Sequence, residues 1–321
     1  MSYREEQCAK AIELLQNGFF ANDPGGGIIG VPRDFALQDS RLTLWSGIAD
    51  DAILYFEANA IPWWKAAGEK SDRGMPSSHL LSSQAACVNH LYALRQRQDF
   101  AAAILQKIDL RIVSAEKIGK PDIKAGYVAF EIIGAENYLG ERSHTRGALS
   151  TSVDAVMLGK KNDGKNILVL IEWKYTEEYI TGDYNKNTGV DGQHRHDRYD
   201  PLLKEECSPI SVANFKALYY EPFYQLMRQT VLGWKMVGHN EYGCDEFVHI
   251  HVIPDGNLEL LNNVTSPLLR EHGNTISEAW KGVLKKPDKY QVISPEKLFE
   301  PLMNLPDARS LLEYLNARYW R

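Results

Sequence analysis

The chain has 321 residues, of which 44% are hydrophobic and 24% charged, and this globular composition excludes a disordered or fibrous protein. A net charge of −6 excludes a protein that coats nucleic acid by bulk electrostatics, while leaving room for a local basic groove. Apolar runs such as residues 167–171 fall far short of the roughly 20 residues a membrane helix needs. The first residues carry no signal-peptide apolar core, and Cys8, Cys87, Cys207 and Cys244 are scattered without a CxxC pair. These features predict a cytoplasmic protein without a membrane partner or a structural zinc site.

In chain order, residues 5–16 read as a helix, followed by the glycine turn at Pro24-Gly25-Gly26-Gly27. A second helical pattern runs over 46–60 and ends at Pro62, and 70–77 is a loop. Over 78–97, Leu80, Leu81, Ala85, Val88, Leu91, Tyr92 and Leu94 keep a helical period, with Ser82 or Ser83 as cap. The pattern then becomes strand-like over 127–133, 152–158 and 166–174. The last of these is apolar on both parities, as a central strand buried on both faces should be. A strong helix follows over 221–237, a strand over 247–253, and an amphipathic helix over 308–320. The expectation is an α/β protein. Residues 1–77 form a mainly helical extension, 78–260 a core with a central mixed sheet in the order helix, strand, strand, strand, helix, strand, and 261–321 a helical C-terminal extension.

Glu172 and Lys174 stand at i and i+2 on the central strand and share a face. Whether Asp154 joins them depends on the hairpin at Asn162-Asp163-Gly164. A three-residue loop with left-handed Gly164 puts Asp154 opposite Glu172, whereas a two-residue loop puts it opposite Trp173, on the wrong face. Two close carboxylates repel, and a hard cation such as Mg²⁺ relieves that, with the Trp173 carbonyl as a further candidate ligand. A metal-bound water, and Lys174 to position the nucleophile or offset developing negative charge, make a phosphodiester hydrolase. A structural salt bridge is the bland alternative.

The string Ser152-Val153-Asp154, 17 intervening residues and Glu172-Trp173-Lys174 resembles the PD-(D/E)xK nuclease superfamily, with Val153 where the name-giving proline stands. Residues 82–91, 172–177 and 224–229 together resemble a group of bacterial restriction-endonuclease-like proteins, over about residues 45–255. The resemblance implies a restriction-endonuclease-like αβββαβ core and a Mg²⁺-dependent endonuclease acting on DNA (Mn²⁺ can substitute). Asp154 and Glu172 would be metal ligands and Lys174 the catalytic lysine. It also implies one more acidic residue near the metal, for which Glu141 and Glu131 are the candidates.

Other residues fit a nucleic-acid substrate. Arg195 and Arg198, in the long segment 180–215, can grip backbone phosphates, and Tyr199 can stack on a base or sugar. Gln225, Arg228 and Gln229 line one helix face, where Arg228 can hold a phosphate bidentately. Gln84 and Asn89 on the helix before the sheet, the pair His249 and His251, and Trp63-Trp64 read more simply as structural. Double-strand cleavage needs two sites, which a homodimer supplies. The competing readings are a nucleic-acid-binding module with an inactive site and a carboxylate-pair hydrolase such as a glycosidase.

Overall fold

The apolar run at 167–171 forms the middle of a mixed sheet in the computed structural model of the protein, which describes residues 1–119, 125–147, 149–179 and 184–320. A small hairpin, β1 (Gly27–Ile29) and β2 (Val31–Arg33), stands apart. The main sheet contains β3 (Ile112–Glu116), β4 (Ala129–Ile132), β5 (Val153–Lys161), β6 (Asn166–Trp173), β7 (Glu246–Val252) and β8 (Tyr290–Ile293). The order is β3-β5-β6-β7-β8, and β4 pairs with the other half of β5's outer side. Pairings on β5 are antiparallel, whereas β6, β7 and β8 run parallel.

Helices cover both faces: α1 (Tyr3–Gln16), α2 (Ala49–Ala58), α3 (Ser83–Leu91), α4 (Gln98–Ile108), α5 (Gly189–Leu203), α6 (Phe223–Gly238), α7 (Leu258–Leu261), α8 (Ile276–Lys281), α9 (Pro295–Phe299) and α10 (Arg309–Leu315). The alternation of β6 divides the core in two. Ile167, Val169, Ile171 and Trp173 pack with α3, α4 and α10, while Leu168 and Leu170 pack with α6 and α8. Local chemistry sets the helix starts. Ser2 and Glu5 form a reciprocal capping box at α1, and Ser82 Oγ accepts from the Ala85 N–H at α3. Among the described residues no helix is long and apolar enough to cross a membrane.

Several elements differ from expectation. The helix expected over 78–97 begins at Ser83, because Leu80 and Leu81 are buried in the turn before it, and it tightens to 3₁₀ geometry over Tyr92–Gln96. The segment 180–215, read as a long loop, contains the four-turn helix α5; its residues 180–183 lie outside the described residues. Helix α4 and strand β3 are additions between α3 and β4. The C-terminal segment, expected to be helical, contributes β8 to the sheet, and α1 and α10 share one core with β6.

The β5–β6 turn takes the three-residue form. Gly164 has φ +86°, and the Lys161 N–H donates to the Lys165 carbonyl at 2.8 Å. A Cβ at Gly164 would meet nothing within 4 Å. Gly164→Ala should therefore cost only backbone strain, roughly 1–2 kcal/mol, read as a lower urea midpoint with an unchanged m-value.

Candidate active site at the sheet end

The hairpin register carries through the sheet. Lys160 pairs with Asn166 and Ala155 with Ile171, so the next step sets Asp154 opposite Glu172. On the other side of β5, Phe130 pairs with Ala155 and Ile132 with Val153, which sets Glu131 at the position facing Asp154. In the parallel pairing Glu172 lies beside His251. One row across β4, β5, β6 and β7 thus reads Glu131, Asp154, Glu172, His251.

Each member of the row is held by named groups. Lys174 Nζ lies 2.7 Å from Glu172 Oε1 and donates to Gln225 Oε1 at 2.8 Å. Gln229 Nε2 donates to Glu172 Oε2 at 2.5 Å and to the Ser152 carbonyl at 2.9 Å. Gln225 and Gln229 are one turn apart on α6, so that helix orients both members of the ion pair. The buried Gln229 Oε1 has no hydrogen-bond partner. Asp154 Oδ2 accepts the Trp173 N–H at 2.8 Å. Glu131 Oε1 accepts from Trp64 Nε1 at 2.9 Å and Gln84 Nε2 at 3.0 Å, and its Oε2 accepts from Ser152 Oγ at 2.6 Å. Glu131 also has φ +51°, a left-handed conformation rare for a residue with a side chain, and Arg146 Nε donates to its carbonyl at 2.7 Å. Strain of this kind persists only where its surroundings over-determine it.

The electrostatics are lopsided. Burial, followed by the charges of Glu172 and Glu131, holds the Asp154 carboxyl well above its usual range, against the pull of Lys174 and the Trp173 N–H. Burial also raises Glu131, against its three hydrogen bonds. Burial works against the charge on Lys174, but Glu172, Tyr179, Glu177 and Asp154 together outweigh it and hold the ammonium well above its ordinary pKa. The cluster therefore holds three carboxyl groups against one cation, all with oxygen donors. Among the described residues no three His, Cys, Asp or Glu side chains converge as a ready-made metal cage. Mg²⁺ uses only one or two carboxylates together with water, and the Asp154–Glu172 pair fits that need. Asp154 and Gln84 open onto a cleft of about 270 Å³, also lined by Arg4, Trp64, Lys65 and His79.

The family model described as restriction endonuclease associating with ARP matches residues 26–320. The chain belongs to this REase-ARP family. No curated protein and no solved structure matches it. The family description points to a restriction-endonuclease-like protein with a nuclease or defence role.

The remaining sequence-marked residues of this REase-ARP chain fall into distinct places. Glu141 is held away from the row: its carboxylate accepts from the Thr151 N–H and hydroxyl and from the Tyr199 hydroxyl, with Arg228 at 3.9 Å. Tyr199 is only 2% exposed, so its ring has no free face for a base. Arg195, Arg198 and Arg228 share a second concavity with Glu141. Gln225, marked for nucleic acid, points instead at Lys174. Asn89 is a structural clamp, bonded to Thr43, Trp45 and Tyr319. His249 and His251 are buried and bonded to Thr230 and Tyr290; burial holds His249 down at about 3 and His251 well below its ordinary value. Trp63 stacks on Phe56 at 3.9 Å, whereas Trp64 is 40% exposed at the cleft. Sequence reasoning missed Ser152 and Arg146 as partners of Glu131. Their only signal was proximity to Asp154 in the chain, which does not specify a contact.

Proposed function

We propose that the protein is a Mg²⁺-dependent endonuclease of the PD-(D/E)xK type that hydrolyses DNA phosphodiester bonds in restriction or defence. The observation that carries this reading is the convergence of Asp154, Glu172 and Lys174 at one sheet end, with Lys174 Nζ 2.7 Å from Glu172. In this reading α3, β4, β5, β6, α6 and β7 would correspond to an αβββαβ core, with α4, β3 and α5 as insertions. Asp154 and Glu172, with the Trp173 carbonyl, would hold the cation, which when bound acidifies a water and offsets phosphate charge. Lys174 directs its ammonium at the attacking oxygen or the developing negative charge. Gln225 fixes that ammonium, and Gln229 fixes the Glu172 carboxylate. Glu131 is the additional acid, held ready by Trp64, Gln84 and Ser152. A cytoplasmic homodimer would bring two such sites to the two strands of a duplex.

Purified protein incubated with plasmid and single-stranded DNA tests the reading. Wild type should cleave with Mg²⁺ or Mn²⁺ and not with EDTA, and Glu172→Ala should lose about a thousandfold or more in rate. Intact DNA in every lane would reject the enzyme, and cleavage by the variant would reject the assigned residues.

A further inference from the structure

Four guanidinium groups line the second concavity, of about 300 Å³: Arg142, Arg195, Arg198 and Arg228. Only two carboxylates accompany them, Glu141 and Asp191. On a chain with net charge −6, this local excess of positive charge is a built feature and not a reflection of composition. Among the described residues Arg142, Arg195 and Arg198 form no ion pair, and Glu141 sits 3.9 Å from Arg228 with its oxygens already engaged by Thr151 and Tyr199.

Among the described residues, Arg228 carries a buried donor without a partner. Its Nη1 donates to Thr151 Oγ1 at 2.9 Å and its guanidinium lies 4.6 Å from the Tyr224 ring centre, but its buried Nε has no acceptor. A buried charged donor left unpaired costs more than a satisfied one gains. An anion entering the pocket supplies acceptors for guanidinium groups that line it without an ion pair. Two surplus positive charges match a dianion. Several guanidinium forks call for an anion with three free oxygens, which a phosphomonoester has and an internal phosphodiester lacks. The volume leaves room for the attached sugar beside Tyr224.

The pocket is also coupled to the hydrolytic site by the chain itself. Thr151, which binds Arg228, is followed directly by Ser152, whose hydroxyl and carbonyl serve Glu131 and Gln229. Arg228 sits on α6 between Gln225 and Gln229.

We propose that the arginine pocket binds a phosphomonoester dianion, carried on the end of a nucleic-acid strand or on a mononucleotide. Naming the strand end rests on the nuclease reading; the phosphate site does not. The test uses the full-length, metal-free protein and an internally labelled duplex bearing a 5′-phosphate, a 3′-phosphate or only hydroxyl ends, with anisotropy as readout. Inorganic phosphate and a nucleoside monophosphate are competitors at constant ionic strength. A strand-end site predicts that one phosphorylated duplex binds about tenfold tighter than its hydroxyl twin. A mononucleotide site predicts equal duplex affinities and direct binding of the monophosphate by calorimetry. In either case the Arg142→Ala/Arg198→Ala variant should remove the phosphate-dependent part, with its folding checked by an unchanged melting curve. No preference for phosphorylated ends together with no monophosphate binding overturns the proposal, as does a preference that persists in the double variant. Phosphate binding without DNA cleavage would reject the nuclease reading alone, and cleavage without phosphate binding would reject the pocket alone.

Discussion

Asp154→Asn should abolish cleavage and at the same time make the metal-free protein more stable. The amide keeps an oxygen for the Trp173 N–H but carries no charge against Glu172 and Glu131. The sign follows from linkage. Below the unfolded-state pKa of about 3.9, Asp154 is protonated in both states and the two proteins should melt alike. As pH rises past that value the unfolded chain ionises freely, while the folded site resists because its pKa is raised by burial and by the neighbouring carboxyls. Wild type therefore loses stability over this window and stays at the lower level once the folded pKa is passed. At neutral pH with EDTA the variant should melt higher by about 2 °C, the shift that roughly 1 kcal/mol gives in a chain of this size. Adding Mg²⁺ should raise the melting temperature of wild type and not of the variant. Thermal melts at several pH values, with and without the cation, check all three statements. A variant less stable than wild type at neutral pH in EDTA would show that Asp154 is a structural acceptor and not a restrained charge.

What the sequence reveals about this site depends on how local each feature is. Gly164 is informative because only a glycine sits easily in the left-handed third position of the loop, and one residue then sets the register that brings Asp154 to Glu172. Residues 166–174 are legible because apolar side chains on both parities can satisfy only a strand covered on both faces. Helix α5 is hidden because its buried residues, Gly192, Tyr199 and Leu203, make a narrow stripe in an otherwise polar segment. Strand β8 is hidden because one buried and three half-buried residues at a sheet edge carry little periodicity, and its partner β7 lies far back in the chain. The two candidate acids separate for the same reason. Glu131 joins the row through a left-handed backbone held by Arg146 and a carboxylate held by Ser152, and Glu141 is drawn off by Thr151, Tyr199 and Arg228. Both outcomes are tertiary, and the spacing of acids along the chain is the same whichever occurs.

Lys174→Met separates a catalytic lysine from a structural one once it is combined with Glu172→Gln. Among the described residues, the single variant removes the only cation bonded to Glu172, a side chain 1% exposed, and leaves Gln229 as its remaining donor. Removing one partner of a buried ion pair costs about 3–5 kcal/mol, so the single variant should show a clearly lower urea midpoint. Glu172→Gln/Lys174→Met takes away both charges, with side chains of similar length filling the same space. Its stability should recover to near that of wild type, giving a coupling energy of about 3 kcal/mol or more in the cycle. Activity should follow the opposite course. A thioether in place of the ammonium can neither orient a nucleophile nor offset phosphate charge, so cleavage should fall by about a thousandfold in the single variant and not return in the double. If the pair serves only to hold β6 against α6, restoring the fold restores cleavage. Recovery of DNA cleavage in the stable double variant would therefore remove Lys174 and Glu172 from the chemistry.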